Sequence, residues 1–72
     1  MSTVAEMHPG EEKMITGLAD DGISLKLLEM GCIPGTKLTF NYKAPMGDPV
    51  CVSVSGYDLS LRISEAISII VE

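Results

Sequence analysis

The residues able to do chemistry by type are few. They are one histidine (His8), two cysteines (Cys32 and Cys51), an adjacent carboxylate pair (Asp20 and Asp21) and a stretch from Gly31 to Lys37 that carries glycines and a lysine. Gly31, Gly35, Thr36 and Lys37 approach a phosphate-binding loop, but the spacing is wrong and Thr36 intrudes. Ending a helix and turning the chain accounts for them better. His8 stands beside Pro9 and cannot by itself supply a metal triad; paired with a cysteine, it lacks a third group to orient it. Cys32 and Cys51 do not have the C-x-x-C spacing of a zinc or redox site. Two cysteines are also too few to staple a small secreted fold, so they read as reduced, buried thiols. Adjacent aspartates point in different directions, and capping a helix explains Asp20 and Asp21 more simply than acid–base work. No constellation of an enzyme is present, and the reading is that of a non-enzyme.

Whatever these groups do, short strands and one helix must position them. Residues 1–6 read as loose, and Met7-His8-Pro9-Gly10 as a turn into an extended run from Glu12 to Leu18, with Ile15 and Leu18 inward. Asp20 and Asp21 start a helix whose apolar stripe is Ile23, Leu27 and Met30, widened by Leu28. Gly31 falls where a left-handed residue ends a helix, and Pro34 blocks continuation. Leu38, Phe40 and Tyr42 then alternate with polar residues as a half-buried strand. Pro45 and Pro49 remove two ladder donors, so Ala44 to Pro49 is a loop. Val50, Val52 and Val54 form the next strand and Gly56-Tyr57-Asp58 a tight connection. Leu59, Leu61 and Ile63 continue as a third alternating strand. Ser64-Glu65-Ala66 reads as a capped helical turn and Ile69 to Val71 as a closing strand. Five strands and one inserted helix in so short a chain favour an all-β fold, a small closed barrel without free edges. Leu27, Leu28, Ile33, Leu38, Phe40, Val52, Val54, Leu61 and Ile69 are the expected core.

Composition narrows function further. Five Lys and Arg against ten Asp and Glu give a net charge of −5, which works against nucleic acid, where affinity comes mainly from basic side chains. The longest aliphatic run, Ile69 to Val71, is far short of the ~20 residues a membrane-spanning helix needs. Met1 to Met7 has neither the basic nor the apolar region of a secretory signal. A cytoplasmic, single-domain protein spanning 1–72 is expected. Its function then rests on surface that meets a partner. Met46 stands at the tip of the loop bracketed by Pro45 and Pro49, Tyr57 stands between two strands, and Lys26 and Arg62 are two of only five basic groups. These five (Lys26, Pro45, Met46, Tyr57 and Arg62) are the candidate partner contacts. A small barrel with exposed edges also leaves a homo-oligomer open.

Four stretches carry a resemblance. The run Leu28, Gly31, Pro34, Gly35, Thr36 resembles the L-x-x-G-[hydrophobic pair]-P-G-T signature of the FeoA family, and Ala44 to Pro49 its A-P-[LM]-G-D-P loop. Gly56 to Arg62 is similar to the family's G-Y-x-[LI]-[AS]-L-R strand, and Met7, Pro9, Gly10 and Glu11 to its L-x-P-G-E opening. The four occur in order and span essentially the whole chain. The resemblance implies an SH3-like small barrel with a helix inserted after the first strand. It also implies a small cytosolic accessory of bacterial ferrous iron uptake, acting on the FeoB-type membrane GTPase permease. The groove between helix and barrel, or the proline-bracketed loop, would make the contact. The family is also linked to transition-metal binding, so the alternative is a metal-responsive domain using Cys32, Cys51, His8 or carboxylates, although no cofactor is expected from the ligand spacing. A chain running from Met1 to just past the last strand favours the stand-alone form over a fused one.

Overall fold

Alternating apolar residues in β-branched and aromatic runs decide the architecture. A computed structural model describes residues 2–19 and 22–72. Along the chain lie β1 (Ser2–Thr3), a single 3-10 turn (Val4–Glu6), β2 (Glu12–Leu18), α1 (Ser24–Glu29), β3 (Lys37–Lys43), β4 (Val50–Val54), β5 (Tyr57–Leu61), α2 (Ile63–Ala66) and β6 (Ile69–Val71). The strands form one sheet in the order β1-β6-β2-β3-β4-β5, antiparallel at every junction. It wraps around a single core that includes Ile15, Leu27, Leu38, Phe40, Val52, Leu61 and Ile69.

Two expectations about the sheet, its strand number and its closure, change. The sheet has six strands rather than five, and β1 and β5 are its unpaired edges, so it is barrel-like without closing. The sixth strand comes from the segment expected to be loose. Ser2 and Thr3 pair with Val71 and Ile70, and Val4 is completely buried. The Thr3 amide donates to Glu6 Oε1 at 3.0 Å, half of a capping box that the spacing Thr3-x-x-Glu6 announces.

Helix α1 is shorter than its apolar stripe suggested, and it shows why a stripe is not a core. Over six residues it buries Leu27 alone, while Leu28 stays 39% exposed. The expected caps Asp20 and Asp21 lie outside the described residues; position Ile23 precedes the helix with no side-chain cap. Its end follows the sequence closely. Gly31 has φ +104°, the Gly31 amide donates to the Leu28 carbonyl at 3.1 Å, and the Cys32 amide donates to the Leu27 carbonyl at 2.9 Å. That pair of bonds is a Schellman motif. It turns Cys32 inward against the core, which leaves Ile33, expected inside, 51% exposed.

Two further departures have local causes. A bulge between Phe40 and Tyr42 in β3 shifts the register, so Tyr42 sits opposite Cys51 and outside, not in line with Leu38 and Phe40. Strand β5 stops at Leu61 and Ile63 begins α2, because the Arg62 amide leaves the ladder for Glu65 Oε1 at 2.8 Å. The connection before β5 is Ser55-Gly56, with Val54 and Tyr57 paired across it. Both turn residues have positive φ (50° and 82°), as a type I′ hairpin turn requires.

Candidate functional site

Pro45 and Pro49 end the β3–β4 ladder, and the loop between them is built rather than slack. Lys43 and Val50 make the last rung. The Ala44 amide then donates to the Pro49 carbonyl at 3.0 Å, and the Gly47 amide to the Ala44 carbonyl at 2.7 Å. That second bond closes a β-turn with Pro45 and Met46 at its centre, Pro45 supplying the fixed φ its position needs. Gly47 leaves the turn at φ +87°. A third anchor comes from outside: Asp48 Oδ1 accepts the Ile63 amide at 3.0 Å, tying the loop to the first turn of α2. Held at three points, two through its backbone and one through the Asp48 side chain, the loop presents Met46 at 92% exposure.

Arg62 lies beside this loop. Asp48, Pro49 and Arg62 line a shallow hollow of about 280 Å³. The Arg62 amide holds Glu65 Oε1, and Glu65 Oε2 meets Lys26 Nζ at 2.9 Å, so α1 and α2 are joined through one carboxylate. Glu65 is only 6% exposed. The Arg62 amide and the Lys26 ammonium hold its carboxyl below the usual range, overriding burial, which acts the other way. Burial, followed by the nearby Glu65 charge, pushes the Cys32 thiol up.

The five candidate contacts therefore separate. Pro45, Met46 and Arg62 share one end of the molecule. Tyr57, exposed, stands at the other end of β4, opposite Val54. Lys26 is engaged by Glu65. Asp48 was missed as a site residue; the signal for it was an acidic side chain ahead of a proline, poised to accept amides.

The metal-ligand candidates are scattered. Among the described residues no three His, Cys, Asp or Glu side chains cluster to hold an ion. Cys32 is in the core, whereas Cys51, expected buried, is half-exposed and faces outward from β4, where Asn41 Nδ2 lies 3.8 Å from its sulfur. The two thiols are on opposite faces of the sheet. His8 sits in an exposed turn with Nδ1 3.3 Å from Glu11 Oε1. The His8 amide, donating to the same oxygen, is the main cause that holds the Glu11 carboxyl below its ordinary value.

A family model described as the FeoA domain matches residues 2–72. The chain belongs to the FeoA domain family. It is 36% identical over 70 residues to an Fe(2+) transport protein A/Fe(2+) transporter FeoB fusion protein of Porphyromonas gingivalis, an alignment that takes in 96% of this chain and 8% of that protein. The FeoA-like protein of Clostridium acetobutylicum superposes with a TM-score of 0.90 at 36% identity, over 100% of this chain and 88% of the other. Stenotrophomonas maltophilia FeoA, solved with zinc and described as a prokaryotic SH3 domain protein, superposes with a TM-score of 0.86 at 27% identity, over 100% and 91% of the chains. The SH3-like architecture is thus shared with FeoA proteins, relatives of which are named for Fe(2+) transport. Among the described residues no helix is long and apolar enough to cross a membrane.

Proposed function

We propose that this FeoA-family domain is a cytoplasmic accessory of ferrous iron uptake that binds the cytosolic part of a FeoB-type membrane GTPase permease and modulates transport, with the Ala44–Pro49 loop at the contact. The observation that carries this reading is the loop itself, an almost fully exposed methionine on a loop held at three points. An exposed apolar side chain favours association, and a pre-ordered loop loses little conformational freedom on binding. The unbranched thioether of Met46 adapts to an irregular pocket. Family membership supports the transport role, and the P. gingivalis protein, which joins transport protein A and FeoB in one chain, supports the choice of partner.

Titration calorimetry against the purified cytosolic GTPase domain, with and without Fe²⁺, tests the reading. Metal-independent binding that Met46→Asp weakens by about tenfold or more, a loss of ~1.4 kcal/mol, is the expected result. Unchanged affinity in Met46→Asp removes the loop from the interface. Binding only with Fe²⁺, or a metal isotherm without the permease domain, favours the metal-responsive alternative.

A further inference from the structure

We propose that two copies of this chain pair edge to edge through β5, joining their sheets across a two-fold axis at Leu59. In a hairpin closed by two residues the flanking pair exchanges both backbone hydrogen bonds, so Val54 and Tyr57 are bonded to each other. Bonding then alternates along β5. Tyr57, Leu59 and Leu61 turn their backbone groups toward β4, while Asp58 and Ser60 turn theirs to the open side. Among the described residues nothing bonds the Asp58 or Ser60 amides and carbonyls on that side.

An unpaired edge is a template for another strand, and natural sheets blunt it with shortness, bulges, proline or inward-pointing charge. The opposite edge, β1, is two residues long and runs straight into a 3-10 turn. Strand β5 is five residues long, pairs with β4 without a bulge and has no proline. Its single charge, Asp58, faces outward and accepts the Ser53 hydroxyl at 2.6 Å.

The occupant follows from register. An antiparallel partner must offer outward groups opposite Asp58 and Ser60, and a second β5 does so in one alignment. With the axis at Leu59, each Asp58 faces the other copy's Ser60, and four backbone hydrogen bonds form. Centring on Asp58 opposes two carboxylates. Centring on Ser60 places Arg62 opposite Asp58, but the Arg62 amide is taken by Glu65 and its carbonyl by the Glu65 and Ala66 amides. In the favoured register each Ser60 hydroxyl can donate to the facing Asp58 carboxylate. The exposed Tyr57 lies opposite Leu61 of the other copy, and Leu59 meets its own equivalent.

Sedimentation equilibrium of the full chain over a wide concentration range, with reductant present so that Cys51 cannot crosslink, decides the matter. A monomer–dimer equilibrium that strengthens with salt is expected, because salt screens two bodies of charge −5 while the backbone bonds persist. Ser60→Pro removes an amide that points away from β4, a position where edge strands accept proline, so it should fold and associate roughly thirtyfold more weakly. Amide exchange on the unmodified chain gives a second readout: Asp58 and Ser60 should exchange more slowly as concentration rises. A chain that stays monomeric throughout, a folded Ser60→Pro that dimerises unchanged, or exchange at these two amides that ignores concentration overturns the proposal.

Discussion

Two stretches of this molecule are made from the same ingredients and do opposite things. Gly31 to Gly35 and Ala44 to Pro49 each combine proline with a left-handed glycine, and each stops a regular element. The first turns its following side chain, Cys32, completely out of water. The second drives Met46 almost wholly into it. Direction is set by what each turn is bonded to. The Schellman amides return to the carbonyls of α1, which rolls the next residue under the helix. The loop is bonded across its own neck and to α2, which leaves its tip with nowhere to fold back. Composition marks a stop; the bonding partners decide whether the stop hides a side chain or displays one.

The largest break in that contrast is Cys32→Asp. It places an unpaired carboxylate at a fully buried position near Glu65 and should cost more than about 3 kcal/mol, leaving the chain unfolded in a urea titration. The Glu65 latch comes next and is read through pH. Glu65 has a carboxyl held below its ordinary value of 4.5, so its contribution is present above that value and is lost as pH falls through and below it. Thermal melts of Glu65→Gln should start from a lower Tm at neutral pH. They should also fall less steeply with acid than those of the unmodified chain, the slope contributed by Glu11 being common to both. Gly31→Ala and Gly47→Ala put a side chain at positive φ in the two stops and should each cost about 1–2 kcal/mol. Nothing lies within 4 Å of the side chain added at Gly47, and only Val54 Cγ2, at 3.8 Å, near the one at Gly31, so equal costs would locate the penalty in the backbone. Asp48→Ala releases the Ile63 amide and should cost about 1 kcal/mol by denaturant midpoint. Smallest is Met46→Asp, whose stability change should stay within about 0.5 kcal/mol, as befits a residue on display.

Legibility followed the reach of the interactions. The alternation of Leu38 and Phe40 with Val52 and Val54, the stop at Gly31 and the proline-bracketed loop all rest on neighbours a few residues away, and all stand in the structure. Leu28 was misplaced inside because a stripe says which residues are apolar, while only the packing partner says which are covered, and Ile33 because the turn after α1 gives the inward place to Cys32. Strand β1 depends on Val71, at the far end of the chain, and no local pattern could show that pairing. The bulge that expels Tyr42 is likewise a property of two strands together. At the candidate site, Met46 was visible as an apolar residue in a stiff loop. The convergence of Arg62 and the Ile63 amide on Asp48 of that loop was not, since it needs the α2 turn to return alongside it.

The pairing of Ser2 with Val71 has a consequence for how such a domain travels. Because the first and last strands lie side by side and antiparallel, the polypeptide enters and leaves at one corner, like a plug on a single cord. A carrier attached at either end would hang from that same corner, and a guest domain bounded by such adjacent ends can be spliced into a host loop with little distortion of either. A module of this geometry can be shuffled among larger polypeptides without redesign, and in the P. gingivalis fusion protein its counterpart makes up a small part of a much longer chain.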